Sequence, residues 1–74
     1  MTRLTILRER QGLSIDGLAK RIRFPEESLR LMESGRYPLG RLIQASDAAL
    51  SIERRLQVAL GTYTSLTQLI EPQN

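Results

Sequence analysis

Residues 14–36 read SIDGLAKRIRFPEESLRLMESGR, and this segment carries the main signals for the fold class. Ser14 is a good N-cap, and the apolar residues after it recur at helical spacing, so we predict a helix from about 15 to 22. Pro25 pushes the residue before it out of the α region and suits the first position of a new helix. A second helix is therefore expected from about 25 to 34, where a glycine follows.

Two short helices joined by a tight turn make a helix-turn-helix, which this pattern places at about residues 14–34. The small side chain of Ala19 permits the close approach of helices that the motif needs. Leu4 and Leu7 predict a further helix before it, from Thr2 to Gln11. An ordinary three-helix core fits the same spacing and is the alternative interpretation.

The middle of the sequence also has helical spacing. Residues 36–38 are expected to form a turn. The apolar positions that follow predict either two helices, at about 40–49 and from a cap at Ser51 to Gly61, or one bent helix over 40–60.

The last part of the sequence has two interpretations. Ser65, with Gln68 three residues later, is a capping-box pattern before a short apolar face, which predicts a helix. The segment 62–64 could instead begin a strand. Residues 71–74 are expected to fray.

The composition supports a single all-α domain of five to six helices over residues 1–74. The sequence has 41% hydrophobic residues but only two Tyr, one Phe and no Trp, which describes a core of Leu, Ile, Ala and Met. Such a core suits packed helices better than a sheet. A chain this short buries only about 60% of its unfolded surface, so a partner subunit would help its stability.

The same composition excludes most catalytic chemistry. The sequence has no Cys and no His, which removes thiol nucleophiles, disulfides, structural zinc and the usual general base. We therefore expect no enzyme, no metal and no cofactor. A cleavable leader, a lipidation signal and a membrane-length apolar run are all missing, so a cytoplasmic protein without membrane contact is expected.

The charge distribution favours a polyanionic partner, with one exception. Eleven basic residues against eight acidic ones give a net charge of +3. Residues 24–34 reverse the balance, because they hold only Arg30 against Glu26, Glu27 and Glu33. Any function has to accommodate an acidic second helix in the motif.

An ordered set of short motifs covers the first half of the chain. They are LTILR at 4–8, GLS at 12–14, LA at 18–19, Phe24, LRLMESGR at 29–36 and Pro38. At this spacing, residues 3–38 resemble the Cro/repressor, or XRE-like, family of helix-turn-helix domains. The resemblance implies a lambda-repressor-like fold and a DNA-binding transcriptional regulator.

The resemblance also implies which residues meet double-stranded DNA, because the second helix of such a motif enters the major groove. The candidates for base contacts are Ile15, Glu26, Glu27, Ser28, Arg30 and Leu31. The candidates for phosphate contacts are Lys20, Arg21, Arg23, Arg36, Tyr37 and Arg41.

We call this second helix of the motif the reading helix. The acidic residues at its start are poorly suited to contact bases. A carboxylate can accept only from cytosine N4, and it repels phosphates. Glu26 and Glu27 could instead serve only the positive end of the helix dipole, which leaves Arg30 as the best donor. Arg23 stands where the family usually has glycine, so the geometry of the turn is open at this point.

Arg8 and Glu33 match a paired Arg and Glu of the family, which implies a bridge between the first helix and the reading helix. The alternative interpretation is two independent surface charges.

Two functions follow. The first is a repressor that binds operator DNA as a homodimer, since a single short helix makes few base contacts. Its dimerisation tail would be about residues 62–74, unless this tail closes the core of the monomer. The candidate interface residues are Tyr63, Leu66, Leu69 and Ile70. The second function is a protein-protein interaction module, such as an antitoxin or accessory regulator, with weakened DNA binding.

Overall fold

The computed structural model describes residues 1–37 and 46–72, which form helices and no strand. The helices are α1 (Arg3–Arg10), α2 (Ile15–Ile22), α3 (Glu26–Glu33), α4 (Ser46–Leu60) and α5 (Leu66–Ile70). The prediction of a small all-helical fold is confirmed. An isolated antiparallel bridge joins Thr2 to Pro72.

The two central helices form for the reasons that the sequence indicates. Ser14 Oγ accepts a hydrogen bond from the Gly17 amide at 2.9 Å and caps α2. Pro25 occupies the N-cap position of α3 rather than its first helical position, so α3 starts one residue later than predicted. The buried apolar side chains of the two helices are Leu18, Ala19, Ile22, Leu29 and Met32.

α4 is one continuous helix, as in the interpretation of a single helix, so the alternative border at Ser51 is wrong. The buried stripe of Ile52, Leu56 and Leu60 follows Ser51 within the same helix. Ser51 therefore lies inside a helix, where the backbone amides that a cap would satisfy already have partners. The part of the predicted helix at 40–45 lies outside the described residues.

Long polar side chains fasten α4 to the first half of the chain. Arg55 Nη1 donates to the carbonyl of Ile22 at 3.1 Å, at the end of α2. Gln11 Nε2 donates to the carbonyl of Leu60 at 3.2 Å, at the end of α4. Because the last carbonyls of a helix have no partner within it, these bonds satisfy groups that would otherwise need water.

The tail closes the core of the monomer. Ser65 Oγ caps α5 by accepting from the Gln68 amide at 3.3 Å, which is one half of a capping box. Glu53 Oε2 accepts from the Leu66 amide at 2.7 Å, so α4 supplies a second cap. The segment 62–65 leads into α5 without forming a strand. The apolar side chains of α5 are all buried: Leu66, Leu69 and Ile70.

α3 ends where a glycine meets the tail. Gly35 has a φ of 77°, and a Cβ there would lie 2.7 Å from Cγ of Pro72. Only glycine suits both the left-handed backbone and the close contact. The end of α3 is therefore tied to the last described residues, and α1 packs against both α3 and α5.

All five helices contribute to one apolar cluster. Its members are Leu4, Leu18, Ala19, Ile22, Leu29, Met32, Ile52, Leu56, Leu60, Leu66, Leu69 and Ile70. None of the described helices is both long and apolar enough to cross a membrane.

Candidate nucleic-acid interface

The α2–α3 unit presents one face of the predicted reading helix to the surface. Leu29 and Met32 are fully buried on the inner face of α3, and α1 and α2 pack against this helix. Residues three and four apart share a face of a helix, so a second set of side chains points away from the core. The exposed members of that set are Glu27, Arg30, Leu31 and Ser34.

Glu26 engages the best predicted donor of the reading helix. Arg30 Nη2 lies 3.3 Å from Glu26 Oε2, one helical turn away. The two side chains are 60% and 40% exposed, so water competes for both partners and the pair is weak. Arg30 therefore stays available to a stronger acceptor.

The other candidates for base contacts differ in exposure. Leu31 is 45% exposed and lies on the outer face of α3. Ser28 is only half-buried. Ile15, at the start of α2, is also half-buried and packs against the core cluster. Its outer surface is therefore all that a nucleic acid could contact.

The turn between α2 and α3 contains an unusual backbone. Arg23 has φ 56° and ψ 52°, and among the described residues it is the only non-glycine with a positive φ. The left-handed region costs an L-residue about 1–2 kcal/mol. The Phe24 amide donates to the Ala19 carbonyl at 3.0 Å, so α2 ends in the motif that normally uses glycine at this position. The exposed Arg23 side chain therefore stands at the turn in spite of a conformational cost.

Basic side chains lie on both sides of α3. Arg21 and Arg23, at the end of α2, and Arg36, after α3, are exposed and form no ion pair with another described residue. Lys20 is different, because its Nζ lies 3.2 Å from Asp16 Oδ2. Among the described residues, these three guanidinium groups precede and follow α3 without an ion-pair partner, and Arg21 also lines a groove along α4.

The last two phosphate candidates do not join this group. Tyr37 is half-buried and packs against the core cluster. Arg41 lies outside the described residues.

A buried ion pair holds α3 on α1. Arg8 Nε donates to Glu33 Oε2 at 2.9 Å and Arg8 Nη2 donates to Glu33 Oε1 at 3.1 Å. The side chains are 13% and 7% exposed. The bridge that the family resemblance implies is therefore present, with the two-bond geometry that favours arginine over lysine.

Two further residues complete this pair, and no sequence pattern indicates either of them. Thr5 Oγ1 donates to Glu33 Oε1 at 2.8 Å. Arg8 Nη1 donates to the carbonyl of Leu13 at 2.7 Å, just before the cap of α2. One network thus fixes α1, the start of α2 and the end of α3.

The predicted dimerisation residues are divided between the surface and the core. Tyr63 is 99% exposed, whereas Leu66, Leu69 and Ile70 are at most 5% exposed and pack inside the monomer. This is the arrangement of the alternative interpretation, in which the tail closes the core. Only Tyr63 of the four is accessible to another molecule.

A family of known sequences matches this chain. The family model, described as a helix-turn-helix domain, matches residues 2–58, and the family consists of XRE-like domains. The matched range contains the α2–α3 unit, both residues of the Arg8–Glu33 pair and most of α4. No curated protein and no solved structure matches the chain. The chain therefore belongs to the helix-turn-helix domain family.

Proposed function

We propose that this protein is a transcriptional repressor that binds a two-fold operator in double-stranded DNA as a homodimer. The observation that carries the proposal is the family match over residues 2–58, because a helix-turn-helix domain implies DNA binding. Families of this kind are typically non-enzymatic. We therefore propose no reaction, metal or cofactor for it. A cytoplasmic location is a separate part of the proposal.

The base contacts come from the outer face of α3 in the major groove. Glu27 is exposed and outside any described ion pair, so its carboxylate is available. In the groove it would accept a hydrogen bond from N4 of cytosine. Arg30 exchanges Glu26 for O6 and N7 of guanine, and Leu31 packs on a thymine methyl group. The expected half-site therefore combines G·C pairs with a neighbouring thymine. Ile15 and Ser28 add contacts at the edge of this surface.

The phosphate contacts come from the guanidinium groups of Arg21, Arg23 and Arg36, none of which is in an ion pair with another described residue. Each contact releases a condensed counterion, so affinity falls as salt rises. Six contacts in a dimer predict a slope of about −5 for log K against log salt concentration. Lys20 adds little, because Asp16 beside it repels the same phosphates.

The proposal is tested by selecting bound sequences from a pool of random DNA duplexes at two salt concentrations. We expect a palindromic motif with half-sites one DNA turn apart, and an affinity that falls steeply with salt. The variant Arg30→Ala tests a single base contact, and it should lose the preference for guanine at one position of each half-site. Recovery of no motif at low salt would contradict the proposal.

A protein-protein interaction module is the second candidate, and one observation favours it. The first turn of α3 carries two carboxylates, Glu26 and Glu27, and the first of them forms an exposed ion pair with Arg30. An antitoxin or accessory regulator with this acidic face would bind a basic protein rather than DNA.

The variant Glu26→Gln with Glu27→Gln separates the two candidates. If this turn faces DNA, its two carboxylates repel the phosphates. Their removal should then raise non-specific DNA affinity several-fold and change base preference. If acidic α3 serves a protein partner, the same variant should leave DNA binding negligible.

A further inference from the structure

The proposed repressor needs a self-complementary surface, and the tail does not provide it. Leu66, Leu69 and Ile70 fill the monomer core and are at most 5% exposed. Their release would open the apolar cluster that all five helices share. An interface between two copies therefore has to use side chains that the monomer leaves exposed.

One face of α4 is exposed along most of the helix. We define the α4 outer face as Asp47, Leu50, Arg54 and Val58, which recur at intervals of three and four residues. Leu50 is 63% exposed and Val58 is 79% exposed. This face lines an open groove of about 880 Å³. Leu50 and Val58 therefore leave apolar surface along this groove that a second molecule could cover.

The charges on this face complement those of a second copy. Asp47 and Arg54 form no ion pair within the described part of the chain. They lie at equal distances along the helix from the point between Leu50 and Ser51. If two α4 helices cross antiparallel on a two-fold axis at that point, each Asp47 faces Arg54 of the other copy. The two Leu50 side chains then meet near the axis, as an isologous interface requires.

We propose that the α4 outer face is the homodimer interface, with two antiparallel α4 helices joined by reciprocal Asp47–Arg54 ion pairs around Leu50. The inference rests on the proposed function, because it names the second copy which that function requires. A partner with a purely acidic or basic surface would pair only one of the two charges.

The resulting dimer is compatible with two adjacent major grooves. α2 packs against both α3 and α4. The two α3 helices are then separated by at most five successive helix-to-helix spacings of about 8–10 Å, an upper limit of roughly 40–50 Å. Half-sites one DNA turn apart need about 34–36 Å, which lies within this limit.

The test is the dimer dissociation constant, measured by sedimentation equilibrium of the full chain without DNA. Asp47→Arg and Arg54→Asp each place like charges opposite one another, so each should weaken dimerisation at least about tenfold. The double variant, Asp47→Arg with Arg54→Asp, restores both pairs and should return to within about threefold of wild type.

Two variants of the exposed α1 charges are matched controls. Glu9→Arg and Arg10→Asp make the same changes in net charge away from α4. They should leave the dissociation constant within about twofold of wild type. Thermal melting of each variant checks that α4 still folds.

The proposal is overturned if wild type stays monomeric at all concentrations, if the single variants dimerise like wild type, or if the double variant fails to recover. DNA binding is measured separately on a single half-site, where a monomeric variant should still bind weakly. A dimer that follows the charge-swap pattern but binds no DNA would support the interface and refute the proposed function.

Discussion

The same two residue types, arginine and glutamate, pair at two places in this molecule with opposite surroundings. Between α1 and α3, the Arg8 and Glu33 side chains are 13% and 7% exposed. Along α3, the Arg30 and Glu26 side chains are 60% and 40% exposed. The first pair is surrounded by further hydrogen bonds, whereas the second is largely exposed to solvent.

Burial thus distinguishes a charge that stabilises the fold from a charge that remains available for binding. Breaking a buried pair leaves an uncompensated charge in a place that water cannot reach, which is strongly destabilising. An exposed pair opens at little cost, because each partner is already half solvated. Arg8 therefore holds α3 in place, while Arg30 can leave Glu26 for a base.

The largest expected effect is that of Glu33→Ala. The variant leaves Arg8 without its carboxylate, so we expect a loss of about 3 kcal/mol in unfolding free energy. For a domain of this size, each kcal/mol lowers the melting temperature by about 4–8 °C. Glu26→Ala is the control and should cost no more than about 1 kcal/mol through the exposed pair and the helix dipole. Equal melting temperatures for the two variants would remove the distinction between the pairs.

The second effect concerns binding rather than stability. Arg30→Ala should weaken specific DNA binding by about 1–3 kcal/mol, because it removes one base contact. The same variant should change the unfolding free energy by less than about 0.5 kcal/mol. Titration of a selected operator and urea denaturation measure the two quantities. A large loss of stability with unchanged DNA affinity would show that Arg30 stabilises the fold and does not contact a base.

The third effect, at the turn between α2 and α3, concerns both stability and the salt dependence of DNA binding. Arg23→Gly relieves a left-handed arginine and should stabilise the fold by about 0.5–1 kcal/mol. It also removes a free charge, so the slope of log K against log salt should become about one unit shallower per protomer.

Arg23→Asn is the matched control for that variant. Asparagine tolerates the left-handed region better than arginine but lacks the charge, so it should lose the same salt dependence with a smaller gain in stability. A melting temperature that falls for both variants would show that the arginine side chain stabilises the turn.

The smallest expected effect is that of Lys20→Ala. The Lys20 and Asp16 side chains are 77% and 60% exposed, so their ion pair should contribute less than about 0.5 kcal/mol to stability. DNA affinity should fall less than about twofold, because Asp16 offsets the charge of Lys20 near any phosphate. A larger fall than that of Arg36→Ala would move Lys20 into the set of phosphate contacts.

The helix-turn-helix could be predicted from the sequence because its signals are local. Ser14 caps α2, and the turn before Pro25 separates the two helices, as the residue types require. The expected cap at Ser51 is wrong because it also rests on a local signal alone. A serine is a cap only where the preceding chain leaves the helix, and the apolar stripe of α4 shows no such break.

The candidate site depends more on contacts between distant residues. The Arg8–Glu33 pair followed from the family resemblance and not from spacing, since 25 positions separate its members. Glu53 as a cap of α5 and Arg55 as a cap of α2 have no local pattern at all. Packing also decides that the apolar side chains of α5 serve the core rather than a partner, which a short apolar face leaves open.

The bridge between Thr2 and Pro72 has a consequence for how the protein is made. α1 packs against α5 as well as α3, so the first helix finds its last neighbour only after α5 has been synthesised. Contacts between residues this far apart in sequence form late, because the loop between them must close first. A chain that holds only α1 to α3 therefore has the reading helix without a finished core, because the core is complete only when α5 has joined it.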